Sequence, residues 1–320
     1  MKVIILIILE VLEQPLKLLT DPSSRTWWPA ILGAVLISAT YEIINVHGKK
    51  LTTVYREFML RLFLHPSSLV DLKLIIVRAI VKVVCIASIP FSAKLIAVKV
   101  VGLAYTVYGQ PPFILTDPSL VIPYSFCFLL ISDFSRYLLH RFMHSTSILW
   151  RFHQLHHSAE VLTPFSLYRT HPVEQMLQWI RSLLVIGITA GGFAWLSMGK
   201  ASIWTLYGVP GVMIIFTVLG ANLRHSHAWI QYPDWLEYVL ISPAQHQQHH
   251  SVESEEQRSN YGSVLSIWDL IARSLKRSKE GKPKAFGLLE EHRNHEPRSV
   301  ISALLDPFKN ESNTQNKNVK

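Results

Sequence analysis

The sequence predicts an all-α fold: a polytopic membrane helical bundle with a cytoplasmic, histidine-rich metal-binding cap. Three observations predict it. The 320 residues are 49% hydrophobic and only 17% charged, too apolar for an ordinary soluble domain. Several apolar runs approach the roughly twenty residues that a bilayer-spanning helix needs. Eleven of the 15 histidines lie between His140 and His250, and eight of them form three tight clusters.

The apolar runs place the elements in order. Residues 1–19 are too short a run to span and are followed by no small-residue cleavage pattern, so they read as an interfacial or anchoring helix, not a removed signal peptide. Residues 27–46 form the first span, with Trp27 and Trp28 suited to the interface and Glu42 as the only charge. Residues 74–108 form a long second region broken by Pro90 and carrying Arg78, Lys82, Lys94 and Lys99; residues 120–139 form the third. Residues 176–198 and 203–221 read as a helical hairpin turning at Gly199-Lys200-Ala201. The predicted organisation is an N-terminal membrane region over residues 1–110, a catalytic domain over 111–275 and a polar tail over 276–320, disordered from 310 onward.

This order predicts a topology. His140 follows the third run and His246 follows the hairpin, so an even number of passes brings all three clusters to one side. Lys49, Lys50, Arg56 and Arg61 follow the first span, Arg136, Arg141 and Arg151 surround the first clusters, and Arg273, Lys276, Arg277, Lys279, Lys282 and Lys284 follow the last. By the positive-inside tendency the clusters face the cytoplasm, making the chain an integral, multi-pass membrane protein. The net charge of +9 then follows from topology and attraction to anionic headgroups. Basic residues interleaved with exposed aromatics, as nucleic-acid binding would want, are not seen.

The clusters are His140-x3-His144, His153-x2-His156-His157 and His246-x2-His249-His250. Imidazole is a good ligand for iron, copper and zinc, and residues three and four apart share a helix face, so each cluster is expected to aim its rings at one centre. Eight or more imidazoles are too many for one metal, which predicts a two-metal site. The two cysteines, Cys85 and Cys127, lie inside apolar runs and cannot build a disulfide scaffold or a thiolate metal site.

Local signals set the helices beneath the clusters. On an unbroken helix the nine residues from His144 to His153 would put the two groups on opposite faces; Ser145-Thr146-Ser147 offers the break. Ser242 is suited to cap a helix with Pro243 in its first position, putting His246, His249 and His250 on the opening turns. Neither a Glu-x-x-His run, as in soluble di-iron bundles, nor the zinc-protease His-Glu-x-x-His is present.

The residues from about 133 to 269 resemble the fatty acid hydroxylase or sterol desaturase superfamily of integral-membrane, histidine-rich di-iron oxidoreductases. The resemblance rests on ordered segments: Asp133-x3-Tyr137-x2-His140-Arg141-x2-His144, Leu149-Trp150-x2-His153-x2-His156-His157-Ser158 and Thr163-Pro164-Phe165. Arg169-x-His171-Pro172-x-Glu174, Ser242-Pro243-x2-His246-x2-His249-His250-Ser251, Asn260-Tyr261-Gly262 and Trp268-Asp269 follow in order. An aromatic followed by Gly-Thr commonly ends the last segment; here Leu270-Ile271-Ala272 continues instead.

The resemblance implies two irons per chain, O2 and electrons from a separate donor protein, used to hydroxylate or desaturate a C–H bond of a lipid such as a sterol or fatty acyl chain. It implies His140, His144, His153, His156, His157, His246, His249 and His250 as metal ligands. A further ligand falls at His225 or His227, between which spacing does not choose, and His171 is either a ligand or a supporting group. Asp133 and Glu174 are expected to accept ring N–H bonds from bound histidines; the alternative for each is a cap or a salt bridge to Arg136 or Arg169. His47, His65, His292 and His295 read as interfacial or loop residues. Two rival readings are a membrane zinc metallohydrolase with Glu174 as its acid–base group, and a metal-binding or transport protein, which would string ionisable residues through the bilayer.

Overall fold

The computed structural model describes residues 27–45, 59–88, 93–200, 221–288 and 299–309, with a few isolated positions before them. The expected N-terminal helix, the second arm of the hairpin, the end of the tail, His47, His292 and His295 lie outside the described residues. Those that are described form helices and loops with no β-strand beyond two isolated bridges, Leu240 with Leu265 and Ser251 with Phe286.

Helix α1 spans Trp28–Asn45. Helices α2 (Pro66–Ser88) and α3 (Ala93–Tyr108) lie on either side of Pro90; the interruption expected there falls on residues 89–92, outside the described residues. Helix α4 (Asp117–Ser145) opens at Thr116, whose backbone and side chain pair with Ser119. It runs past the predicted end of the third apolar run to carry His140 and His144. Thr146 then adopts an extended conformation and α5 (Ser147–His157) begins, so the break falls inside the predicted serine–threonine turn.

Helix α6 (Pro172–Leu196) lies against α3 and α4. Gly187 and Gly191 permit the approach to α3: a Cβ on Gly187 would come 2.5 Å from Ile96 Cβ, and one on Gly191 2.7 Å from the Ala97 carbonyl oxygen. Against α4, Phe193 meets Tyr124 edge to face with ring centroids 5.1 Å apart, over buried Leu120. Among the described residues two helices, α1 and α6, are long and apolar enough to cross a membrane. On α6, Met176, Ile180, Leu184 and Ile188 are exposed at a four-residue spacing, and Ile122, Phe126, Phe134, Leu138 and Phe142 form a similar stripe on α4. These apolar stripes face away from the protein interior.

The cap is the opposite, polar inside. It contains α7 (Pro243–His249), α8 (Ser254–Gln257) and α9 (Ile267–Ile271). Ser242 caps α7 as expected, its hydroxyl accepting from the Gln245 N–H while the Gln245 side chain accepts from the Ser242 N–H. The buried Glu237 carboxylate accepts from the Ser242 hydroxyl and from the Ser278 N–H and hydroxyl, tying the start of α7 to residues 35 or more positions later in the chain. Helix α10 (Val300–Leu305) returns the tail to the body, with Ala303 packed on Val70, Leu74 and Leu155.

Candidate metal centre

Helices α4, α5 and α7, with the turn Ala221–His225, bring nine histidines into two adjoining groups. His140, His144, His153, His157 and His249 form one; His156, His225, His246 and His250 form the other. Within each group the ring nitrogens lie within 4.8 Å of one another. The stacked rings of His157 and His250, 4.5 Å apart, join the two groups.

The grouping corrects the expectation that each cluster serves one centre. His153 and His157 of the second cluster enter the five-histidine group, whereas His156 enters the other. His246 and His250 of the third cluster enter the four-histidine group, whereas His249 crosses to the first. The cause is helical rotation: neighbouring residues diverge by about 100°, while i and i+4 are nearly aligned. Two His-x2-His-His helices laid beside one another therefore exchange one imidazole each.

Supporting bonds to Nδ1 orient five of the nine rings. His140 Nδ1 lies 2.8 Å from the Tyr261 carbonyl and His249 Nδ1 2.7 Å from the Ser259 carbonyl. A carbonyl only accepts, so both rings carry their proton on Nδ1 and a lone pair on Nε2. Yet the two Nε2 atoms face one another at 3.0 Å. That contact is not a hydrogen bond between neutral rings, since neither side has a proton to give; it is the arrangement that a cation between two donors would complete. His153 Nδ1 lies 3.1 Å from the Glu174 carboxylate, and His156 Nδ1 meets the Arg169 carbonyl at 3.3 Å. His225 Nδ1 lies 3.2 Å from Ser166 Oγ, whose own proton goes to the Thr163 carbonyl.

The remaining nitrogens test whether a metal fits. Among the described residues, His144 Nε2, His153 Nε2, both nitrogens of His157 and of His250, and His246 Nδ1 are buried without a hydrogen-bond partner. Buried polar atoms are rarely left so. Burial first, and neighbouring imidazoles second, hold these rings in the neutral form: His140 is pushed down to about 3, and His144, His157, His249 and His250 well below their usual range. Neutral, inward-facing and preoriented imidazoles are the donor set that iron, copper or zinc takes. The residues fit a metal.

The other sequence candidates stand elsewhere. His227 turns away from both groups and pairs with Glu42 of α1 at 3.2 Å, which separates it from His225. His171 caps α6: its Nδ1 accepts from the Val173 N–H and its Nε2 donates to the Leu304 carbonyl, engaging both nitrogens away from the cluster. Glu174 accepts from His153, while Asp133 accepts from no histidine. Its oxygens take the N–H groups of Val264 and Leu265 and the Trp268 indole N–H, holding the loop that follows Asn260-Tyr261-Gly262 against α4.

Three supporting residues were not singled out from sequence. Ser166, Glu237 and Asp71 act through neighbours; an acidic residue in the apolar run of α2 was the one available signal, for Asp71. It lies 2.5 Å from Arg169 Nε, and the Arg169 guanidinium also donates to Ser158 and Ser67.

A helical domain that gathers nine imidazoles, seven of them on buried residues, into two adjoining donor groups defines a histidine-clustered metal-binding protein. Residues 125–274 match the fatty acid hydroxylase family, a region that holds every one of these nine histidines. Over 146 residues the chain is 29% identical to an ornithine lipid hydroxylase of Rhizobium tropici, covering 45% of this chain and 39% of that protein. It is 30% identical over 138 residues to an alkylglycerol monooxygenase of Danio rerio, covering 43% and 27%. It is 27% identical over 147 residues to a delta(7)-sterol 5(6)-desaturase of Eremothecium gossypii, covering 46% and 36%. The chain thus spans well under half the length of these relatives. No solved structure matches it.

Proposed function

We propose that the chain is a membrane-bound di-iron oxidoreductase that uses O2 and external electrons to hydroxylate, or desaturate, a C–H bond of a lipid such as a sterol or fatty acyl chain. The observation that carries the reading is the approach of His140 Nε2 to His249 Nε2 with both Nδ1 atoms committed to carbonyls. In the second group His225 Nε2 lies 3.0 Å from His246 Nε2, and His246 Nδ1 and both nitrogens of His250 are buried without a hydrogen-bond partner, which supports a second metal. Lipid oxidation follows the relatives, which are named a lipid hydroxylase, a monooxygenase and a desaturase.

Iron, when bound, would supply O2 activation and C–H oxidation. The protein's own part is separate. Glu174 and the carbonyls of Ser259, Tyr261 and Arg169 hold the imidazole protons on Nδ1 and keep Nε2 aimed inward. Burial keeps bulk water from the rings, which suits a chemistry in which reactive oxygen must be spared side reactions. The exposed stripes of α4 and α6 and the apolar length of α1 and α6 support a multi-pass membrane location. The clusters then face the cytoplasm, where a separate electron-donor protein meets the basic residues around 273–284. Glu174, which a zinc hydrolase would need as its acid–base group, accepts from His153 instead.

The test is metal content of the detergent-purified protein by mass spectrometry beside O2 uptake with reductant and membrane lipid extract. About two irons per chain with lipid-dependent uptake is the expected result. Zinc, or no metal, with no uptake would overturn the reading.

A further inference from the structure

The loop Ser259-Asn260-Tyr261-Gly262 holds both facing histidines through main-chain carbonyls, with the Tyr261 ring packed edge-on against them at 5.8 and 5.5 Å. Ser259 and Tyr261 offer their carbonyls to His249 and His140, and Asn260 between them has a positive φ of 55°. That left-handed turn points the two carbonyls at rings from two different helices. Asn260 is anchored on all sides: its amide donates to the Gln245 carbonyl, and its Oδ1 accepts from the Lys276 N–H.

Asp269 completes the arrangement from the far side. Its Oδ2 accepts from the Gly262 N–H at 2.7 Å, and its Oδ1 from the Tyr261 N–H at 3.0 Å and the Ser274 hydroxyl at 2.6 Å. The Gly262 N–H and the Tyr261 carbonyl belong to one peptide unit. A carboxylate on the N–H end therefore polarises the carbonyl that holds His140, because hydrogen bonds in a chain strengthen one another. Gly262 keeps the carboxylate in reach: a Cβ there would stand 2.6 Å from the Leu265 carbonyl oxygen and 3.0 Å from Asp269 Oδ2.

We propose that Asp269 is a positioning residue for the metal centre, acting on His140 through the 261–262 peptide as a carboxylate–peptide–imidazole relay. It is the indirect counterpart of Glu174, which meets His153 without an intervening peptide. Carboxylates behind metal-bound imidazoles raise ligand basicity; here the effect passes along one amide. The inference rests on the two-metal reading above. Asp133 supplies the internal control, because it anchors the same loop through the N–H groups of Val264 and Leu265, and neither peptide carries an imidazole-binding carbonyl.

The experiment loads chelator-stripped, full-length protein in detergent with cobalt(II) alone and records visible absorption and cobalt affinity for wild type, Asp269→Asn and Asp133→Asn. The expected result is two cobalt ions in all three, with shifted bands and a tenfold or greater loss of affinity at one site in Asp269→Asn only. Asp133→Asn keeps the wild-type bands and loses thermal stability. If Asp269→Asn does not accumulate, Ser274→Ala serves instead: it strips a hydroxyl donor from the carboxylate, leaves both peptide bonds in place and shifts the bands in the opposite direction to a lost charge. Wild-type loading with bands unchanged in these variants, or shifted equally by Asp133→Asn, overturns the relay alone. A wild type that takes up no cobalt overturns the two-metal reading and the relay with it.

Discussion

Arg169 reaches Asp71 at 2.5 Å across 98 positions of sequence, while its own main-chain carbonyl holds His156 Nδ1. One residue thus joins α2 to the four-histidine group. Arg169 is 1% exposed, and a buried cation is tolerated only with its partners in place.

Removing Asp71 strands that cation. Asp71→Ala is expected to cost about 3–5 kcal/mol of stability and to weaken metal retention at the group containing His156. Thermal unfolding in detergent, with metal content measured beside it, checks both; an unchanged melting temperature would contradict the buried pairing.

The exchange of imidazoles between helices makes a stoichiometric prediction. His249→Ala and His156→Ala each remove a ring from a different group, and each is expected to lower metal content from about two toward one and abolish oxidation. Membrane insertion should persist, because neither residue lies in an apolar run. Full metal content in either variant would sink its assignment.

His225 and His227 should separate cleanly. His225→Ala loses metal, whereas His227→Ala keeps it and loses contacts to α1, that to Glu42 among them. His171→Ala likewise keeps its metal and loosens the tail around Leu304, which limited proteolysis would report.

Glu174→Gln leaves His153 Nδ1 a neutral acceptor in place of a carboxylate. A 10–100-fold loss of metal affinity or activity is expected. Loss of activity with wild-type affinity would instead favour a direct acid–base role for Glu174.

Acid should destabilise the metal-free protein. His140, His153 and His156 are pushed from 6.5 to about 3 in the folded state, chiefly by burial, so between these values the unfolded chain binds more protons. Stability is then full above about pH 6.5 and falls as pH drops toward 3. Melting temperatures of chelator-treated protein from pH 7 to 4 should decline, and added metal, competing with protons for the same lone pairs, should move the decline to lower pH. A flat profile would contradict neutral burial of the rings.

By itself the sequence determined whatever short-range chemistry encodes. The three histidine clusters, the turn at Thr146 and the Ser242 cap with Pro243 behind it each depend on residues within a few positions of one another. Backbone sterics and capping bonds act over that range, so those features were legible. Only the tertiary structure decided which imidazoles share a centre, because helix rotation splits His156 from His157 and His249 from His250 and only the packing of α5 against α7 says where each ring lands. The same holds for His225 over His227, for Asp133 serving a loop in place of a histidine, and for Asp71 meeting Arg169. Those outcomes are contacts between residues 21 to 185 positions apart, and side-chain type does not reveal which distant donor a buried carboxylate will find.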